Sequence, residues 1–187
     1  MPPKVKITKE NIVNAAVELV RTGGPQAINA RTVAAFLNCS TQPVFSNFTT
    51  MEELRLAVVE KVDALCRDYM RREVESGVYP AYKANGMAYI RFAKEEKELF
   101  QLLYMRDRSR EYIPETSEHL DEMASLVYQN TGLDGEDAKL FHLEMWAYVH
   151  GIATMFATGF FKPDWETVSY MITDVYQGLR KQHGGDQ

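Results

Sequence analysis

The chain has 187 residues, 45% of them hydrophobic, which is enough for a sizeable core in one compact unit or two small ones. Its formal net charge of −5 excludes a protein that coats nucleic acid over its whole surface. The charge is uneven: residues 1–55 carry six basic and four acidic side chains, a net +2, whereas residues 56–187 carry a net −7. This mildly basic N-terminal part, called the head, and the acidic remainder predict that only one end of the protein faces DNA.

Cysteine content and hydropathy place further limits. Two cysteines are no disulfide framework, and we interpret Cys39 and Cys66 as small buried hydrophobic residues. No apolar run follows the basic N-terminus, so we expect no signal peptide and a cytoplasmic protein. Residues 145–161 lack Lys, Arg, Asp and Glu, but seventeen residues are at the lower limit for a membrane span and His150 interrupts them. We interpret this run as a buried helix.

The N-terminal residues predict a basic arm and one amphipathic helix. Lys4 and Lys6 lie in a polar, proline-containing segment that either reaches DNA phosphates or is a plain solvated tail. Thr8 is expected to cap the first helix, and Gly23-Gly24-Pro25 to end it. The apolar positions of this helix recur on one face: Ile12, Ala16, Leu19 and Val20.

Residues 29–54 predict two short helices joined by a tight turn and followed by the start of a third. Asn29 is a good N-cap for the first helix, and Asn38 tolerates the left-handed backbone that such a turn requires. We expect Ser40 to cap the second helix, with Pro43 in its first turn. The apolar positions of both helices are expected to point inward: Val33, Ala34, Leu37, Val44 and Phe48.

The other face of the second helix is polar but uncharged. It carries Thr41, Gln42, Ser46 and Asn47. Such side chains suit a DNA major groove, where Gln and Asn can pair with adenine and Ser or Thr with several bases. An ordinary pair of packed helices would show the same residues to solvent, so this motif alone leaves both interpretations open.

The remaining chain predicts further helices and no strand. Thr50 and Glu53 form a capping box that starts a helix to about Ser76, with one apolar side formed by Leu54, Val58, Val62, Leu65 and Tyr69. Gly77 and Pro80 end it, and a helix of about fifteen residues then runs through Tyr82 and Phe92. The following helix is apolar nearly all round and is expected to be buried on more than one side, at Leu99, Phe100, Leu102, Leu103 and Met105.

After a charged connection at residues 106–112, Pro114 is expected to open a helix that runs to Asn130. Asp134 or Gly135 caps a long helix to about Phe161, and Pro163-Asp164 starts the last helix. The apolar face of the last helix comprises Val168, Met171, Ile172, Val175 and Leu179. About nine helices without a strand predict an all-α protein.

The run from Val33 to Leu54 resembles the DNA-binding signature of the TetR family of bacterial repressors. The matching pieces are Val33-Ala34, Asn38-Cys39-Ser40, Val44-Phe45, Asn47-Phe48 and Met51-Glu52-Glu53-Leu54. Four positions depart from that pattern: Asn38 replaces a glycine, Phe45 a tyrosine, Asn47 a histidine or tyrosine, and Met51 a lysine. Within the second half, Trp146 to Gly151 resembles the Trp-x-x-x-His-Gly motif of one effector-domain subgroup.

The resemblance implies a nine-helix fold with a helix-turn-helix DNA-binding domain at 1–50 and an effector-binding and dimerisation domain at 51–187. It implies a homodimer through the last two helices, a palindromic operator and a small-molecule effector that releases a repressor from DNA. The expected DNA contacts are Lys6, Arg31, Thr41, Gln42, Pro43, Phe45, Ser46, Asn47, Thr50 and Met51. The expected ligand contacts are Phe100, Tyr104, Tyr128, Trp146, His150 and Phe156, although aromatic residues at helical spacing are more often plain core.

Two other classes of helical protein are alternatives to a repressor. A helical di-metal oxidase needs Glu-x-x-His pairs, and none of the four histidines has a glutamate three residues before it. HExxH, nucleophile-elbow, P-loop and paired Cys-x-x-Cys motifs are also missing, so we expect no catalytic residue, metal or cofactor. A dimeric helical adaptor that binds protein through its head stays an alternative.

Overall fold

The computed structural model describes residues 7–107 and 118–184; for residues 118–122 only the helical backbone is described. Within these residues the chain forms nine α-helices and no strand, so the all-α prediction is confirmed. The helices are α1 (Lys9–Gly23), α2 (Ala30–Phe36), α3 (Gln42–Asn47), α4 (Met51–Ser76), α5 (Ala81–Glu95), α6 (Lys97–Tyr104), α7 (Glu118–Thr131), α8 (Gly135–Thr158) and α9 (Trp165–Gln182).

The chain divides into two compact units. Of the described residues, the first unit comprises 7–67 and 96–106, and the second comprises 68–95, 107 and 118–184. Helix α4 supplies residues to both units. The functional boundary expected after residue 50 stays a prediction.

The first unit packs α1 against α2, α3 and α6. Nε of Arg21 on α1 donates to Oε2 of Glu96, just before α6, at 2.7 Å. This half-buried ion pair ties the start of α6 to the end of α1. Phe48, Leu99 and Phe100 are among the largest buried side chains. The core also contains Ile12, Ala16, Val20, Val33, Val44, Leu54 and Val58.

The second unit is built on the packing of α5 against α8, with α7 and α9 also in contact with both. Its core includes Met87, Ile90, Phe92, Phe141, Met145, Ile152 and Ile172. Within the described residues no helix has both the length and the apolar character needed to cross a membrane. Residues 145–158 are instead part of α8, which buries Val149, Ile152 and Phe156.

Most predicted helix ends agree with the structure, and four details differ. Met105, expected to be buried on the sixth helix, follows the end of α6 and is 44% exposed. Helix α3 begins after Thr41 and not after Ser40, and it has no side-chain cap. Helix α8 ends at Thr158, three residues before the expected Phe161, because Gly159 takes a left-handed conformation with φ of 71°. On α4 the fully buried stripe continues from Val62 to Cys66, so Leu65 is only half-buried.

Two expectations fall wholly or partly outside the described residues. The charged connection at 106–112 is described only to residue 107, and Pro114 is not described. The seventh helix is described from Glu118 and ends at Thr131, one residue after the expected Asn130.

Candidate nucleic-acid interface and ligand cavity

The turn between α2 and α3 is a Schellman motif centred on Asn38. Asn38 has φ of 50°, the left-handed conformation expected from the sequence. Its N–H donates to the carbonyl of Ala35 at 3.1 Å, and the N–H of Cys39 donates to that of Ala34 at 2.9 Å. These two bonds satisfy carbonyls that the end of α2 would otherwise leave without partners. The turn therefore sets the direction in which α3 leaves α2.

Helix α3 shows its polar side to solvent. Val44 is fully buried beneath it, whereas Gln42 and Ser46 are exposed and Thr41 and Asn47 are half-buried. Among the described residues nothing covers Gln42. This is the orientation that base contacts in a major groove require.

Two of these side chains are bonded to their own helix. Ser46 Oγ donates to the carbonyl of Gln42 at 2.9 Å, and Asn47 Nδ2 donates to the carbonyl of Pro43 at 2.8 Å. Both keep acceptor oxygens for a base edge, because only their donors are used. The side-chain amide of Gln42 makes no hydrogen bond within the described residues, so both its N–H donors and its acceptor oxygen are available to a base.

Two aromatic side chains extend the exposed surface of the helix-turn-helix. Phe45 on α3 and Phe36 on α2 are each 55% exposed. Phe45 stands where the family signature has tyrosine, and it lacks a hydroxyl for a phosphate. An exposed aromatic ring on α3 can still contact a thymine methyl group in the major groove.

The start of α4 is fixed by Glu53. Thr50 Oγ1 accepts from the N–H of Glu53 at 3.1 Å, and the N–H of Thr49 donates to Glu53 Oε2 at 2.8 Å. The predicted capping box is thus present, with the return bond one residue earlier than expected. Lys9 Nζ lies 3.3 Å from Glu53 Oε1 and 4.7 Å from the centre of the Phe48 ring. The Thr49 N–H first, and then Lys9, lower the pKa of the Glu53 carboxyl.

These bonds limit what the start of α4 can offer a phosphate. The N–H groups of Thr49 and Glu53 are already bonded, whereas those of Met51 and Glu52 make no hydrogen bond within the described residues. Thr50 is exposed and Met51 half-buried. Arg31 is exposed and forms no ion pair within the described residues. Lys6 lies outside them.

The second unit contains a cavity of about 430 Å³. Its wall is largely aromatic and aliphatic, which is typical of small-molecule sites. Helix α4 contributes Met70, and the other walls come from α5, α7, α8 and α9. The lining residues include Tyr82, Lys83, Gly86, Tyr89, His142, Trp146, Val149, Thr173, Tyr176 and Arg180.

Two tyrosine–histidine pairs lie at the cavity. Tyr82 Oη is 3.1 Å from His142 Nδ1, and Tyr89 Oη is 2.9 Å from His150 Nδ1. The His150 ring also stacks on Trp146, with centroids 5.0 Å apart. Burial lowers the pKa of His150 and raises that of Tyr82, so these groups are neutral at neutral pH.

Lys83 brings a cation to the cavity wall. Its Nζ donates to Ser169 Oγ at 2.7 Å and to Thr173 Oγ1 at 2.8 Å, both on α9. It also lies 5.1 Å from the Tyr79 ring centre. Burial lowers the pKa of the Lys83 ammonium. An ammonium has three donors, so one remains after both hydroxyls are bonded.

The six residues expected to bind ligand are dispersed. Trp146 lines the cavity, and His150 contacts both Trp146 and Tyr89. Tyr128 on α7 is exposed, and Phe156 on α8 is buried in the hydrophobic core. Phe100 and Tyr104 lie on α6 in the first unit, where Tyr104 Oη is 3.6 Å from Cys66 Sγ. As ligand contacts, all six stay predictions.

Helical spacing could have revealed part of the cavity. Tyr82, Gly86 and Tyr89 fall at i, i+4 and i+7 of one helix, and His142, Trp146 and Val149 do so on another. A glycine between two tyrosines on one face leaves space beside α5. Lys83 gave no such signal, because a lysine in a helix is ordinarily a solvated side chain.

The two cysteines are not paired, and Cys66 is buried. Burial raises the pKa of the Cys66 thiol to about 11, which keeps it protonated and unreactive. Cys39 is only half-buried in the α2–α3 turn. No group of three His, Cys, Asp or Glu side chains in the described ranges could hold a metal ion.

Comparison with known proteins places this chain in a family. Residues 82–175, half of the chain, match the model of the tetracyclin repressor-like C-terminal domain. No curated protein sequence matches the chain. The chain therefore belongs to the tetracyclin repressor-like family; it is a regulator of transcription and not an enzyme.

Solved structures share the fold over nearly the whole chain. A protein of unknown function from Rhodococcus sp. RHA1 has 21% identity and a TM-score of 0.71, covering 97% of this chain and 98% of its own. A TetR-like transcriptional regulator from the same organism has 14% identity and a TM-score of 0.66, with 100% of both chains covered. A TetR family member from Streptomyces coelicolor A3 has 17% identity and a TM-score of 0.61, covering 89% and 96%. At these identities the likeness concerns the fold.

Proposed function

We propose that this protein is a dimeric, ligand-responsive repressor that works in the cytoplasm by placing α3 in the major groove of a palindromic operator. The exposed, uncharged polar face of α3 is the observation that carries this proposal. Gln42, Ser46 and Asn47 would read base edges, and Thr41, Pro43 and Phe45 would line the same groove. Arg31, Thr50, the first turn of α4 and the Lys6 arm would contact phosphates, which position the protein without reading sequence.

Dimerisation through α8 and α9 is supported by an exposed apolar stripe on α8. Leu140 and Leu143 are exposed, and Ala147 and Gly151 follow at helical spacing. A Cβ added at Gly151 would meet no atom outside its own helix within 4 Å. Small residues beside leucines allow two helices to approach closely, as a bundle formed with a second copy would require. A two-fold dimer would present two α3 helices to half-sites about one helical turn apart.

The cavity in the second unit would hold the effector, and α4 offers a route to the head. Met70 near the end of α4 lines the cavity, while Met51 at its start follows α3 after a three-residue connection. A ligand that binds one conformation of α4 more tightly than another would shift the population of DNA-binding dimers. The differential affinity, and not a specific path, is what the mechanism requires.

An electrophoretic mobility shift with the duplex DNA next to the protein's own gene tests the proposal. We expect a discrete complex that survives excess non-specific DNA at fixed salt. The double variant Gln42→Ala/Asn47→Ala should abolish the specific complex, while Gln129→Ala, an exposed glutamine on α7, should leave it unchanged. A complex that forms equally with the double variant would contradict DNA reading by α3.

A further inference from the structure

The cavity in the second unit carries charge of only one sign among its described lining residues. Lys83 and Arg180 line it, and no aspartate or glutamate does. Lys83 is the more informative cation, because its hydrogen-bond partners within the described residues, Ser169 and Thr173, are neutral hydroxyls. Thus the side chain is held in place without being neutralised.

A half-buried ammonium without an anionic partner is unfavourable in isolation. Removing a charge from water costs free energy that hydroxyl groups repay only in part. Desolvation is the cause that lowers the pKa of Lys83, and no nearby carboxylate within the described residues offsets it. An anion entering the cavity would supply the missing partner, through a charge-assisted hydrogen bond to the half-buried ammonium.

The rest of the wall specifies the body of such a ligand. Tyr82, Tyr89, Trp146 and Val149 provide aromatic and aliphatic surface, and a volume of about 430 Å³ is near the lower end for small-molecule sites. A highly charged ligand such as a nucleotide would leave most of its charge against apolar walls. A single carboxylate on an apolar body matches both the Lys83 ammonium and this aromatic and aliphatic part of the wall.

We propose that the effector is an apolar monocarboxylic acid whose carboxylate binds Lys83 Nζ and whose body fills the Tyr82–Tyr89–Trp146 side of the cavity. This inference rests on the proposed function only in calling the ligand an effector. The Ser169 and Thr173 hydroxyls orient the ammonium so that its third donor is available to the carboxylate. Arg180 adds positive potential at the same cavity.

Binding of matched probes to the full-length protein, without DNA, tests this inference. The probes are 2-naphthoate and decanoate, each compared with its neutral amide, followed by calorimetry and by quenching of Trp146 fluorescence in a Trp165→Phe background. We expect each acid to bind about ten- to a hundred-fold more tightly than its amide, the range for a hydrogen bond to a charged group. Equal binding of acid and amide, or binding of neither acid, would overturn the proposal.

Three variants separate charge recognition from a structural role for Lys83. Lys83→Met should remove the preference for the acid over the amide, whereas Lys83→Arg should keep most of it because the positive charge remains. Lys181→Met, at an exposed lysine on α9, is the matched control and should bind the acids like the wild type. If Lys83 only ties α5 to α9, Lys83→Met will lower Tm yet leave the acid-to-amide ratio unchanged, which would also overturn the proposal.

The outcome is independent of the DNA-binding proposal. The probe experiment contains no DNA, so failure of acid recognition leaves the regulator intact. Conversely, a protein that binds the acids but never binds operator DNA would keep its acid site and lose its proposed function.

Discussion

Single residues decide how α3 is presented. Asn38 has φ of 50° in the turn before α3, a conformation that costs most L-residues about 1–2 kcal/mol. Asparagine tolerates it better than residues without a short polar side chain, and glycine tolerates it best. The family signature has glycine here, and the structure shows that the turn forms with asparagine.

Substitution at Asn38 tests that account. Asn38→Ala should lower the free energy of unfolding by about 1 kcal/mol, whereas Asn38→Gly should cost little or nothing. Chemical denaturation of both variants measures the difference. If alanine were tolerated as well as glycine, the left-handed turn would not be the constraint at this position.

Side chains that contact bases and side chains that contact phosphates should respond differently to substitution. Gln42→Ala should relax base preference at one position of the half-site, while Arg31→Ala should weaken all sequences alike and reduce the salt slope by about one. Binding titrations against single-base variants at several salt concentrations distinguish the two effects. A uniform loss of affinity with Gln42→Ala would remove that side chain from the set of base readers.

At the scale of elements, the start of α4 depends on the ionised Glu53. Its pKa is lowered by the Thr49 N–H and by Lys9, so its contribution to stability is fully present above the ordinary pKa that the carboxyl has in the unfolded chain. The contribution disappears as the pH falls through the lower folded-state pKa. Glu53→Gln keeps a capping oxygen but removes the charge.

We therefore expect the Tm of Glu53→Gln to lie below that of the wild type at pH 6 and to converge with it towards pH 3. Thermal melts across this range check the prediction. Glu60→Gln, at an exposed glutamate in the middle of α4, should follow the wild type in parallel. If the difference in Tm between the wild type and Glu53→Gln grew as the pH fell, the charged carboxylate would not be what stabilises the start of α4.

Helix α5 carries Gly86 against the cavity, which allows a test of how tightly α5 packs. A Cβ at Gly86 would lie 3.4 Å from Val149 Cγ2, an ordinary van der Waals contact. Gly86→Ala should therefore raise Tm by about 2–4 °C through helix propensity alone. Gly178→Ala on α9, where an added Cβ meets nothing, should give a similar rise. If Gly86→Ala lowered Tm while Gly178→Ala raised it, α5 would pack against Val149 too closely to accommodate a methyl group.

The elements were largely predictable from sequence because caps and periodicity are local. Thr8 and Asn29 cap helices as expected, the last helix begins after Asp164, and α4 runs from Met51 to Ser76 as expected. The cavity was less predictable, because it depends on which faces of five helices meet. Trp146 was anticipated from its motif, whereas Lys83 has meaning only through Ser169 and Thr173, which lie more than eighty residues away.

At the scale of the whole molecule, the proposed dimer depends on the exposed stripe of α8. Leu143→Glu would place a charge in that interface. Because Leu143 is 58% exposed, the substitution should change the stability of a single subunit little. We expect sedimentation to show a dimer for the wild type and a folded monomer for Leu143→Glu. Val78→Glu, at a similarly exposed residue between α4 and α5, should remain dimeric. A dimeric Leu143→Glu would move the interface away from α8.

The claim on which the other proposals depend is that two copies of α3 read a symmetric DNA site. Selection of bound duplexes from random DNA, at a fixed and stated salt concentration, tests it most directly. The account predicts an enriched palindrome with one preferred half-site spacing of about one helical turn, and loss of one specified base pair per half-site with Gln42→Ala. No enrichment, or enriched sequences without two-fold symmetry, would contradict it.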